Sequence, residues 1–133
     1  MKVFVCVDEN FGVGFNNRRQ SRDSEIVLKI VEILEGSNLY MNEYSAKLFK
    51  KYNKIVVDND YLSKVKQEDY CFVEVNSLAD YDDKIDTVIL FKWNKIYPSD
   101  KKLEIDFSGR NLEKTFDFKG TSHEKITCEV WTR

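Results

Sequence analysis

The chain reads as a single-domain α/β protein: a mixed sheet with a parallel centre and an antiparallel C-terminal edge, flanked by two to three helices. Three observations predict this class. Short apolar runs alternate with stretches of helical periodicity over roughly the first two-thirds of the chain, and the remainder shows only strand-like alternation. At 133 residues the chain can bury one core without metal clips or disulfides. No repeat, low-complexity tract or linker marks a boundary inside 1–133.

The first element is the buried-type strand Lys2 to Val7, which runs into the polar turn Asp8-Glu9-Asn10 and the glycine-spaced loop Phe11-Gly12-Val13-Gly14. The segment Asn16 to Asp23 has no periodicity and is expected to be loop. A helix follows, with Ile26, Val27, Ile30, Ile33 and Leu34 on one face. Ser21 or Asp23 can cap its start, and Gly36 can end it in the left-handed conformation. Leu39-Tyr40-Met41 is a short strand, after which Asn42 can cap a helix aligning Tyr44, Leu48 and Tyr52.

Lys54 to Val57, Tyr70 to Val75 and Thr87 to Phe91 supply three further strands. Lys92 to Tyr97 is expected to form a short helix stopping before Pro98, because a residue preceding proline disfavours helical angles. Leu103 to Phe107 is expected to open an all-strand ending. Alternation at Phe116 and Phe118, and at Ile126, Cys128 and Val130, with Gly120-Thr121-Ser122 between, predicts a terminal hairpin.

Composition excludes several classes. Hydrophobic residues make up 42% and charged residues 33%, a balance that favours a packed protein over a disordered one. The net charge of −2, from 23 acidic and 21 basic residues, provides no global field for a polyanion, so nucleic acid is not a favoured partner. No apolar stretch approaches the ~20 residues of a membrane span. Cys6, Cys71 and Cys128 are odd in number and lie in apolar runs, so free buried thiols and a cytoplasmic location are expected.

Several constellations could carry chemistry. Arg18, Arg19 and Arg22 form the densest cationic patch, just before a helix N-terminus that also favours an anion; the plainer reading is a solvated loop paired with nearby carboxylates. Gly12 and Gly14 could let backbone approach a ligand, or could simply be turn geometry. His123 could act as a general acid or base, with Glu124 or Asp23 as a second group, or could serve only as a hydrogen-bonding residue. Asn42, Tyr44 and Ser45 could face a ligand at a helix start, although capping and packing account for the first two. Phe91, Trp93, Tyr97 and Trp131 are expected in the core rather than as a base-stacking platform. The acidic run Asp80, Asp82, Asp83 and Asp86 lacks the glycine and distal glutamate of an EF-hand loop and reads as a solvated turn, so no metal site is expected.

In outline the chain resembles dihydrofolate reductases over nearly its whole length. Val5 to Gly14 is similar to that family's first strand and substrate loop, Ser24 to Glu35 to its first helix, and Thr121 to Arg133 to its closing strand. Where the family carries a glycine-arginine turn onto the cofactor phosphate, this chain has Asn42-Glu43, and the glutamate would repel a phosphate. Where the family uses paired glycines to admit a pyrophosphate, this chain has Phe91-Lys92-Trp93. The resemblance therefore implies the fold, and these departures predict a scaffold without the usual NADPH site and with no cofactor. The chain also resembles a group of small clostridial-type proteins sharing its Arg-Arg-Gln-Ser, Met-Asn-x-Tyr-Ser-Ala and Ser-His-Glu-Lys-Ile-Thr segments, many of which carry the label ribonuclease Z. True enzymes of that name hold two zinc ions with a histidine-rich motif, and a chain whose only histidine is His123 cannot build that site.

These readings converge on a binding module for a small anionic, nucleotide-like metabolite or a protein partner. Its expected ligand-binding residues are Gly12, Gly14, Arg18, Arg19, Arg22, Asn42 and Ser45, with no membrane partner and with a homodimer compatible with the pattern. The alternative is an enzyme, either a divergent pteridine-type reductase or a metal-independent ribonuclease-like phosphodiesterase using His123.

Overall fold

The computed structural model describes residues 1–133. In chain order it contains β1 (Lys2–Val7), β2 (Gly12–Phe15), β3 (Arg18–Arg19), α1 (Ser24–Leu34), β4 (Leu39–Met41) and α2 (Glu43–Ala46), which tightens into a 3-10 turn at Lys47–Phe49. Then come β5 (Ile55–Val57), a 3-10 turn at Tyr61–Ser63, β6 (Tyr70–Val73), a 3-10 turn at Ala79–Lys84, β7 (Thr87–Lys92), β8 (Lys101–Lys102), β9 (Asn111–Phe118) and β10 (Ile126–Thr132).

Seven strands form the main sheet in the order β5-β4-β6-β1-β7-β10-β9. β1 runs parallel to both β6 and β7, and β4 runs parallel to β5 and β6, whereas β10 is antiparallel to β7 and β9. The mixed sheet with a parallel centre and an antiparallel C-terminal edge is therefore present. A small second sheet, β3-β2-β8, stands apart from it.

Strand alternation sorts the core onto two faces. Phe4 on β1 packs with Ile26, Ile30 and Leu34 of α1 and with Phe49, Phe72 and Phe91. Val3, Val5 and Val7 point the other way and pack with Tyr61, Cys71, Val73, Val88 and Leu90. That second face carries no α-helix. It is covered by 3-10 turns and by an extended strap bearing Leu103, Ile105 and Phe107.

The strap corrects one expectation. Residues 103–107 alternate like a strand, yet they form no strand ladder beyond one bond from the Leu103 N–H to the Phe11 carbonyl at 2.9 Å; the alternation arises from half-buried side chains laid across a sheet face. Lys92 to Tyr97 is not a helix either. Lys92 ends β7, Trp93 is buried, and Asn94 takes a positive φ of 59° that breaks helical geometry. The Asn94 side chain instead donates to the Lys125 carbonyl and to Thr127 Oγ1, tying this turn to β10.

The segment expected as loop before α1 contains β3, and Gly12 and Gly14 lie in β2 rather than in an open loop. The helix predicted through Tyr52 is a single four-residue turn continued as 3-10, and β6 stops at Val73 rather than Val75. α1 matches its expected span, with Asp23 as N-cap; Glu35 and Gly36 both take positive φ at its end. Among the acidic run, Asp82 pairs with Arg110 and Asp86 with the Met1 ammonium, so two of its carboxylates hold the structure together.

Candidate functional site

Asp23 lies where three elements meet. As N-cap of α1 it accepts the Glu25 N–H at 3.0 Å, and across the fold it accepts the backbone N–H groups of Thr121 and Ser122 at 2.8 and 2.9 Å. Its Oδ2 also stands 3.0 Å from His123 Nδ1. One side chain thus clamps the start of α1 to the β9–β10 connection. Burial works to raise its pKa, but the donors from Thr121, His123, Ser122 and Glu25 outweigh it and hold the carboxyl well below its ordinary range.

An ionised carboxylate can only accept, so the proton on this side of the imidazole sits on Nδ1, and Nε2 offers a lone pair. Two hydroxyls face that lone pair: Tyr97 at 2.8 Å and Ser21 at 3.3 Å. Trp93 stacks on the ring, with centroids 4.6 Å apart and planes inclined by 26°. His123 is only 4% exposed.

Beside this assembly a cleft of about 730 Å³ opens between α1 and the 3-10 turn after α2. Ile26, Val27, Leu48, Phe49 and Phe72 make its apolar walls; Cys6, Glu74, Trp93 and Asp23 also line it, and Ser21 and Arg22 stand at its edge. Lys47, Lys50 and Lys51 are exposed along the opposite side. Glu74 is neutralised where it stands. Arg19 grips it in a two-pronged pair, Nε to Oε2 at 2.7 Å and Nη2 to Oε1 at 2.9 Å, and Ser45 Oγ donates to Oε1 at 2.8 Å. Tyr44 covers the Arg19 guanidinium at 4.2 Å. Burial, reinforced by the Glu74 charge, raises the Cys6 thiol well above its ordinary pKa, so it is not a thiolate nucleophile.

A second, polar recess of about 840 Å³ shares Trp93, Thr121 and Ser122 with the cleft and adds His123, Lys95, Lys119 and Lys125. No group of three or more histidine, cysteine, aspartate or glutamate side chains is placed to hold a metal ion.

The residues singled out from sequence scatter. Arg22 and Asp23 line the cleft; Arg19 and Ser45 reach it through Glu74. Arg18 is exposed on β3, so the three arginines do not form one anion seat. Gly14 is explained by its own chain, since a Cβ there would meet the Arg18 carbonyl and Val75 Cγ1 at 2.8 Å; at Gly12 it would meet Gln20 Nε2 and Ser99 Cβ at 2.7 Å. Asn42 caps α2 through the Ser45 N–H and donates to Asn76. Glu124 is exposed and makes no hydrogen bond or ion pair with the His123 ring, whose partners are Ser21, Tyr97, Ser122 and Asp23. Sequence reasoning missed Glu74, Ser21 and the three lysines. An acidic residue at the end of the apolar run Tyr70 to Val75 was the available signal for Glu74.

The arrangement of strands can now be matched to known structures. Dihydrofolate reductase from Enterococcus faecalis, complexed with NADP(H) and RAB-propyl, superposes with a TM-score of 0.72, covering 99% of this chain and 95% of that one at 12% identity. The fold is that of dihydrofolate reductase. At that identity the likeness establishes architecture and no activity. No family model and no curated protein sequence matches the chain. On this dihydrofolate-reductase-like scaffold, Phe91 and Trp93 are both buried in the core on the α1 side of the sheet.

Proposed function

We propose that this dihydrofolate-reductase-like chain is a binding module for a small anionic, nucleotide-like metabolite seated in the cleft between α1 and the α2 turn. The observation that carries the reading is the charge layout. Lys47, Lys50, Lys51 and Arg22 line the cleft without an ion-pair partner, while its two buried carboxylates are already partnered, Glu74 with Arg19 and Asp23 with His123. An anionic tail suits the cations and a flat ring suits the apolar walls. His123 turns both nitrogens inward and is nearly fully buried, which favours binding over direct phosphodiester cleavage by that residue.

The test is calorimetric titration and thermal unfolding with nucleoside phosphates, folates and sugar phosphates. A ring-bearing anion is expected to raise the melting temperature, with stabilisation near 2.7 kcal/mol once its concentration reaches about 100 times Kd. Sugar phosphates, lacking the ring, are expected to give much less. Affinity should fall with added salt and drop by about tenfold in a Lys47→Glu/Lys51→Glu double variant. Silence from all three ligand sets would end the proposal.

A further inference from the structure

The Asp23–His123–Ser21 arrangement has a use that ligand binding does not require. Asp23 holds Nδ1 of the imidazole at 3.0 Å, and its other partners, the Thr121 and Ser122 amides, leave it no freedom to turn away. Nε2 is therefore left as the accepting nitrogen, enclosed between Tyr97 Oη at 2.8 Å and Ser21 Oγ at 3.3 Å. That hydroxyl makes no other hydrogen bond, and Ser21 is half-buried at the wall of the cleft, where an incoming molecule can reach it. A nucleophile, a base within hydrogen-bonding reach, and a third group orienting the base are the three parts of an acyl-transfer site, and the first contact is commonly long before substrate binds. Arg22, the next residue, lines the same cleft without an ion-pair partner, so a cation is available beside the Ser21 hydroxyl.

We propose that Ser21 is an acyl-accepting nucleophile, activated by His123 with Asp23 as its positioning residue, acting on small carboxylic esters presented from the cleft. Ser21 Oγ bonds to the ester carbonyl carbon while its proton passes to Nε2. Collapse of the tetrahedral adduct breaks the carbon–oxygen bond to the leaving group, and that oxygen carries the proton away. Water then attacks the acyl carbon, giving its proton to the same nitrogen, and the carboxylic acid leaves as Ser21 recovers its hydrogen. Tyr97 competes in the resting state, because its hydroxyl at 2.8 Å shares the Nε2 lone pair.

The probes are p-nitrophenyl acetate and a fluorophosphonate, followed by intact mass and peptide mapping, with p-nitrophenolate release recorded separately. The native chain is expected to gain one adduct, mapped to Ser21, and to release p-nitrophenolate faster than buffer. Ser21→Ala, which removes only the hydroxyl, is expected to abolish the adduct while leaving the far-ultraviolet spectrum and the melting temperature unchanged. Tyr97→Phe is expected to speed labelling by about threefold, because the base is no longer shared; a purely structural histidine gives no such gain. Absence of any adduct on the native chain, an adduct mapped to a lysine or tyrosine, or labelling that persists in Ser21→Ala would each overturn the proposal. None of these outcomes depends on whether the cleft binds nucleotides.

Discussion

Asp23 and Asp8 show how single carboxylates govern this molecule. Asp8 is buried, and the N–H groups of Gly12, Tyr97 and Asn10 together with the Gln20 amide overcome the effect of burial and lower its pKa. Asp23 is lowered further by the same kind of donor shell. In both cases the folded value lies below the ~3.9 of an unfolded aspartate. Their contribution to stability is therefore complete above about pH 5 and is lost as the pH falls through the folded values. Chemical denaturation as a function of pH is expected to show a plateau above about pH 5 and a steep fall below about pH 4. Asp23→Ala is expected to cost about 3–5 kcal/mol by urea titration, because it strips the α1 cap and leaves two backbone donors and a histidine without their acceptor. A loss under about 1 kcal/mol would show that the clamp is slack.

At the scale of elements, α1 was legible because five apolar residues at helical spacing, a capping aspartate and a terminal glycine all agreed. Its energetics should be one-sided. Ile30 is fully buried and Leu28 is 57% exposed, so Ile30→Ala is expected to cost about 2–5 kcal/mol and Leu28→Ala about 0.5 kcal/mol or less. Equal losses in thermal unfolding would contradict the packing. The strap 103–107 misled for the opposite reason: local alternation reports which side chains are half-buried, not whether the backbone has a ladder partner. The Trp93 turn was unreadable because its conformation is set by Asn94 bonding to β10, about thirty residues away. Gly14→Ala tests β2 in the same spirit. Its new methyl would press on the Arg18 carbonyl and Val75, and a loss of about 1–3 kcal/mol is expected where an open ligand loop would tolerate it.

At the scale of the whole molecule, protection should follow strand order. β1, β6 and β7 occupy the centre of the seven-stranded sheet and carry core residues on both faces, while β5 and β9 are its edges. Hydrogen exchange is expected to be slowest at Val3 to Val5 and Val88 to Leu90, and fastest in β5 and the 3-10 turns, where few buried apolar contacts resist opening. Uniform protection across the sheet would argue against this layering.

From residue order alone came the class of fold, the span of α1, the parallel centre and the antiparallel close, because each rests on periodicities and caps that neighbours in sequence set between themselves. The resemblance in the opening strand and glycine-spaced segment was also visible there. The site was different. Asp23 meets His123 across 100 positions and Arg19 meets Glu74 across 55, pairings that no local pattern encodes. Only packing of α1 against the sheet and return of the last hairpin brought these groups within hydrogen-bonding distance, and in doing so it spent Arg19 on an internal charge and turned Ser21 toward a base.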